Sequence, residues 1–218
     1  GGREFWWLGA YSYLTVSSLG TRYCQVMPGA KSDPLQRIIV DAAIAIAAAT
    51  GPDAISMRDL ARQANVSHQA PYHHFGDRAG IFAAICEEGF AILGNEMQEN
   101  RNLGTEALCE SYVRFALNHR GHFRVMFRTD LCDMASYPNA AIQADRAFGI
   151  LYDEVVSLVG LDADEFAVQT QTAYMWSVAH GLSTLPIDGP LLKKFGSVQD
   201  MAQLSKNVAR VASSSIGV

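Results

Sequence analysis

Side chains able to read base edges crowd one short stretch of this chain, where Ser67, His68, Gln69, Ala70, Pro71, Tyr72, His73 and His74 follow one another directly. Glutamine can pair with adenine N6 and N7, histidine can donate to guanine acceptors, and an alanine is small enough to admit a thymine methyl. These groups act together when a helix carries its N-terminal end into the major groove. Base contacts are therefore expected of His68, Gln69, Ala70, Tyr72 and His73. Phosphate contacts are expected of Ser56, Arg58, Ser67, His74 and Arg78, the last placed just after Asp77 at a helix start whose amides favour an anion. Two competing readings apply to the same residues. A zinc site at His73-His74 is disfavoured, because adjacent helical residues point about 100° apart and no acidic or thiol partner lies at ligand spacing. Tyr72 and Phe75 can instead serve as core anchors of their helix, an alternative that weighs more for Phe75.

Two short helices meeting at a polar turn must position these groups. The first is expected from Ser56 to Gln63, with Ser56 as N-cap and Asp59 three residues on. Met57, Leu60, Ala61 and Ala64 share one face of it. Asn65 tolerates a left-handed backbone and marks the bend, Val66 plugs the corner, and Ser67 is expected to cap the second helix. Before this pair, Asp33 and Pro34 start a helix that runs to Thr50, with Leu35, Ile38, Ile39, Ala42, Ile46 and Ala49 expected to face the pair. After it, a helix starting near Asp77 continues toward Met97 and ends across residues 100–104.

Further helices are expected at about 105–118, 121–128, 139–158, 163–185 and 198–212, with a clear break at PIDGP, residues 186–190. Aromatic and methionine residues recur through them at helical spacing. Phe115, Phe123, Met126, Phe127, Phe148, Leu151, Tyr152, Tyr174, Met175 and Trp176 could wall an apolar cavity or simply form core. Trp176 and His180 stand at i and i+4, so they share a helix face where two ring nitrogens could orient a ligand or make a structural hydrogen bond. The expected ligand-binding set is Phe115, Met126, Phe127, Phe148, Tyr152, Tyr174, Trp176 and His180. Ala167, Thr170, Ala173, Ser177 and Gly181 form a ridge of small residues suited to tight packing, against a twin or internally.

The chain has 218 residues, 49% of them hydrophobic, enough for a sizeable core in an all-α protein. Its net charge of −5 is uneven: residues 31–80 carry five basic and five acidic groups, whereas residues 81–218 carry ten and sixteen. A neutral reader gains modest affinity from phosphate neutralisation, so pairing of two copies is expected. Four cysteines without CxxC spacing read as reduced thiols in the cytoplasm. No GxSxG, catalytic carboxylate pair, Cys-His motif or phosphate-cradling glycine loop is present, and His119 with His122 lacks a third ligand. Neither enzyme activity, cofactor nor metal is expected.

Phe5 to Leu19 is apolar enough to resemble the core of a signal peptide, yet short for a membrane span. The natural start is expected at Met27, with residues 1–26 arising from upstream translation or vector sequence; an aromatic arm of a longer protein is the alternative. The division expected is an extension over 1–30, a helix-turn-helix domain over 31–80, and a ligand-binding and dimerisation domain over 81–218.

From Leu35 to Phe90 the chain resembles the TetR family of bacterial transcription regulators. The resemblance rests on the ordered block LQRIIVDAAIAIAAATGPDAISMRDLARQANVSHQAPYHHFGDRAGIFAAICEEGF, including Gly51 after the first helix and Tyr72 and Phe75 closing the recognition helix. Asn65 departs from the family's usual glycine, and Arg78 stands where lysine is frequent. Tyr112, Phe115, Ala116, His119, Phe123, Met126 and Phe127, then Trp176, His180 and Gly181, resemble a subgroup with a Trp-His-Gly C-terminal signature. The resemblance implies a helix-turn-helix three-helix domain followed by a larger helical ligand-binding domain. It also implies a homodimer through the last two long helices, operator DNA as partner, and a small apolar or amphipathic effector that releases a repressor. An activator, a ligand-independent regulator, or a helical carrier or enzyme with a vestigial helix-turn-helix are the alternatives.

Overall fold

The computed structural model describes residues 33–160, 163–195 and 200–214, so the expectations placed on residues 1–32 lie outside it. Among the described residues the chain is all-α: α1 (Pro34–Thr50), α2 (Met57–Gln63), α3 (Ala70–Phe75), α4 (Arg78–Asn100), α5 (Thr105–Asn118), α6 (Arg120–Met126), α7 (Pro138–Val159), α8 (Glu165–Ile187), α9 (Leu191–Phe195) and α10 (Met201–Ser214). None of these helices is long and apolar enough to cross a membrane.

Helix α1 starts where Asp33 accepts from the Leu35 amide at 2.9 Å, and stops at Gly51, whose φ of 95° no other residue type adopts cheaply. Its buried row is Ile39, Val40, Ala43 and Ala47, while Ile38 and Ala49 face outward, against expectation. The sequence IIVDAAIAIAAA is apolar nearly all round, so its pattern cannot choose a face; packing chooses it.

The turn between α2 and α3 closes as expected at Asn65, which takes φ 54°. Val66 N donates to Ala61 O at 3.0 Å and Asn65 N to Arg62 O at 3.2 Å, the paired bonds of a Schellman end. Helix α3, however, begins at Ala70 and not directly after Ser67. In an α-helix the Ser67 carbonyl would take its bond from residue 71. Pro71 has no N–H, and the carbonyl takes the Ala70 amide instead at 3.0 Å in a tighter turn. Ser67 is thus no N-cap; it opens the turn that leads into α3.

Asp77 caps α4 by accepting from Gly80 N at 2.9 Å, and α4 then lies between α6 and α7. Helix α8 packs on α5 and α7, and α10 on α5. Helix α8 runs through Pro186 to Ile187, beyond the break expected there; Pro186 lies in the last turn, where only one further intrahelical bond is forfeited, and its ring is buried. One apolar core extends from Ile39 in α1 through Ile55, Leu60 and Ile81 to Phe115, Ile150 and Ala209.

Candidate nucleic-acid interface and effector site

The outward edge of the turn and of α3 carries Ser67, His68, Gln69, Tyr72 and His73, all exposed. Tyr72 is 40% exposed and its ring stands 5.7 Å from that of His68, so it is part of this edge and no core anchor. Phe75 packs against the core, and Pro71 is buried beneath the helix. Ala70 is half-buried at the junction. Arg58 is exposed on α2.

Three other expected phosphate ligands lie beside groups of the same chain. The Ser56 hydroxyl donates to Asp59 Oδ2 at 2.7 Å and accepts from the Asp59 amide at 3.1 Å. His74 Nδ1 lies 3.8 Å from Asp33 at the start of α1. Arg78 lies 3.9 Å from Asp53 and stacks 5.0 Å over the Phe82 ring. The composition of the segment showed which residues were polar; only the fold shows which of them point outward.

In the second helical region five of the eight expected ligand residues belong to one chain of ring contacts, two of them joined by a group outside the expected set, the Tyr112 hydroxyl. Trp176 Nε1 donates to Tyr112 Oη at 3.4 Å, and Tyr112 Oη lies 2.9 Å from His180 Nδ1. Phe127 stands edge-on to His180 at 4.8 Å, Phe148 edge-on to Trp176 at 5.7 Å, and Tyr152 lies 6.3 Å from Phe148. Phe123 adds a second ring, 5.3 Å from His180. Burial pushes the Tyr112 phenol up and the His180 imidazole down, which favours the neutral form of both. Phe115 instead stacks on His119 at 5.1 Å, Met126 lies against Gly89, and Tyr174 is 40% exposed on the outer side of α8.

Helix α6 stands between these two regions and touches both. Gly121 sits so close to α1 that a Cβ there would come within 2.3 Å of the Ile44 carbonyl oxygen. Arg124 donates to the Ala47 and Ala48 carbonyls at 3.1 and 2.6 Å, closing the C-terminal end of α1. Arg128, just beyond the helix, reaches Asp53 at 3.2 Å. His122 is buried and bonds Glu88 of α4 at 3.0 Å, and Glu88 in turn pairs with Arg37 of α1. Phe123 and Phe127 project from the same short segment to the His180 ring. Two of the three cation contacts here join residues more than 70 positions apart, which is why no local pattern could reveal them.

A helix-turn-helix with an exposed polar edge, sharing one core with a larger aromatic-rich helical region, defines an all-α DNA-binding regulator. Residues 39–85 match the family described as bacterial regulatory proteins, tetR family, and residues 105–208 match the tetracyclin repressor-like C-terminal domain. The chain carries both domains of the TetR family and is a transcriptional regulator, not an enzyme.

It is 26% identical over 163 residues to the uncharacterized HTH-type transcriptional regulator YobS of Bacillus subtilis (strain 168), covering 69% of this chain and 78% of that protein. Among solved structures it is similar to a protein of unknown function from Rhodococcus sp. RHA1, at 25% identity and TM-score 0.65, over 87% of this chain and 97% of that one. A tetR-family regulatory protein from Rhodococcus RHA1 shares the fold at 19% identity and TM-score 0.63, over 85% and 98%.

Proposed function

We propose that this regulator is a repressor of the Trp-His-Gly subgroup, acting in the cytoplasm as a homodimer on a roughly palindromic operator. Two α3 helices enter successive major grooves about 34 to 36 Å apart. His68, Gln69, Ala70, Tyr72 and His73 read bases, and Arg58 and Ser67 hold phosphates in the geometry described. Ser56 reaches phosphate only on leaving Asp59, whereas His74 and Arg78 exchange long contacts with Asp33 and Asp53 for phosphate. Dimerisation through α8 and α10 is supported by the outer row of α8, where Phe166 is 77% exposed and Thr170, Ala173 and Ser177 follow at helical spacing, and by Val211 of α10, 67% exposed.

The observation that carries the regulatory reading is the position of α6. Its aromatic residues line the candidate effector site, and its Gly121, His122 and Arg124 hold α1 and α4, the helices that orient the reader. A small apolar or amphipathic ligand that displaces Phe123 or Phe127 therefore shifts the reader. To move occupancy from 1:99 to 99:1 it must favour the non-binding state by about 5.5 kcal/mol. A mobility shift on the regulator's own promoter region tests the reading. A sequence-selective shift that weakens with salt is expected; a chain that binds all DNA equally, or none, would sink it.

A further inference from the structure

The aromatic site deepens the reading just proposed, and rests on it, because its hydrogen-bond polarity is fixed. Indole Nε1–H is a donor only, so the Tyr112 oxygen accepts from Trp176. Tyr112 is 6% exposed, and its own O–H has one described acceptor within reach, His180 Nδ1 at 2.9 Å. The opposite arrangement, with Nδ1–H donating to the phenol, would leave the buried phenolic hydrogen without a partner, which is costly. The neutral imidazole is therefore the Nε2–H tautomer, a fixed donor. Its Nε2 has no protein partner among the described residues, and His180 is half-buried between Phe123 and Phe127.

The side chains of the ring cluster carry no formal charge of their own. None of the described ion pairs involves Tyr112, Phe123, Phe127, Phe148, Trp176 or His180. The nearest acid on α7 by sequence is Asp145, one turn before Phe148, and it is exposed, outside the described contacts of the ring cluster.

We propose that this site takes an uncharged, flat aromatic or conjugated ligand that presents a hydrogen-bond acceptor, such as a carbonyl oxygen, to His180 Nε2. The rings supply edge and face contacts for a flat body. Tyr112 is the positioning residue: it touches no ligand and sets which way the imidazole donates.

The test uses the full chain and three matched probes, acetophenone, ethylbenzene and benzylammonium, with affinities from ligand-observed NMR and the His180 tautomer from long-range ¹⁵N–¹H spectra. Wild type is expected to show the Nε2–H tautomer and to bind acetophenone about tenfold more tightly than ethylbenzene. His180→Phe should bring those two probes level. Tyr112→Phe should release the tautomer and narrow the gap without abolishing aromatic binding. An Nδ1–H tautomer in the wild type, equal affinities for acetophenone and ethylbenzene, or tighter binding of benzylammonium would overturn the ligand class while leaving an effector site in place. Binding of none of the three by folded protein would overturn the site itself. The tautomer measurement stands even where a variant fails to fold.

Discussion

Arg124 holds Asp188 through two guanidinium nitrogens, Nε at 2.9 Å and Nη2 at 2.6 Å, while its Nη1 closes the last carbonyls of α1. One cation thus sits at the C-terminal ends of α1 and α8, where both helix dipoles favour positive charge. Arg124→Ala is expected to destabilise the fold by about 2 kcal/mol. It should also blunt ligand release more than ligand affinity. Urea melts beside ligand-titrated mobility shifts separate the two effects.

Gly121 and Gly89 make a graded pair. A Cβ at 121 meets the Ile44 carbonyl oxygen at 2.3 Å, a backbone obstacle that yields only if α6 moves off α1. At 89 the nearest atom is the Met126 sulfur at 2.5 Å, the far part of a flexible side chain, although the His122 Cβ at 3.1 Å is less yielding. Gly121→Ala is expected to cost about 2 to 3 kcal/mol and Gly89→Ala clearly less. Thermal denaturation of both variants ranks them.

Glu88 ties stability to acid. The hydrogen bond from His122 and then the Arg37 guanidinium, against the opposing effect of burial, hold its carboxyl down to about 2 from an ordinary 4.5. The unfolded chain binds the proton more readily, so this stabilisation is present above pH 4.5 and is lost as pH falls toward 2. Glu88→Gln should lower stability near neutrality and flatten that acid limb, as followed by melts across the pH range.

The reading edge should be separable from the fold. Tyr72→Ala and Gln69→Ala are expected to change unfolding free energy by about 0.5 kcal/mol or less, since both side chains are exposed. Operator selectivity should fall by about 1 to 3 kcal/mol for a lost base contact. Arg58→Ala should instead weaken all sequences alike and reduce the salt slope by about 1. Mobility shifts at several salt concentrations distinguish the two patterns.

Asn65 holds the turn at φ 54°. Asn65→Gly is expected to be near neutral, and Asn65→Val to cost at least about 1 kcal/mol, because a β-branched residue resists the left-handed region. Chemical denaturation of the two variants gives the comparison.

Local chemistry by itself determined where helices start and turn: Asp33, Ser56 and Asp77 cap their own neighbours, and Asn65 and Gly51 end helices through their own backbone freedom. It also assembled the recognition segment, because an N-terminal cluster of base-reading groups is contiguous in the chain. Pro71 is legible too, and its missing N–H denies the Ser67 carbonyl four residues earlier its α-helical partner.

Tertiary structure alone decided orientation and partnership. The nearly uniform apolar surface of α1 gave no periodic signal for its buried side, and packing against the rest of the core selected Ile39, Val40, Ala43 and Ala47. Trp176 and His180 share a face by spacing, yet the hydroxyl that joins them comes from Tyr112, more than 60 residues away. Arg124 likewise reaches 77 residues back and 64 forward. Short-range preferences act over about one helical turn, whereas these bonds form only once distant helices are packed, so the sequence names the atoms and the packed core pairs them.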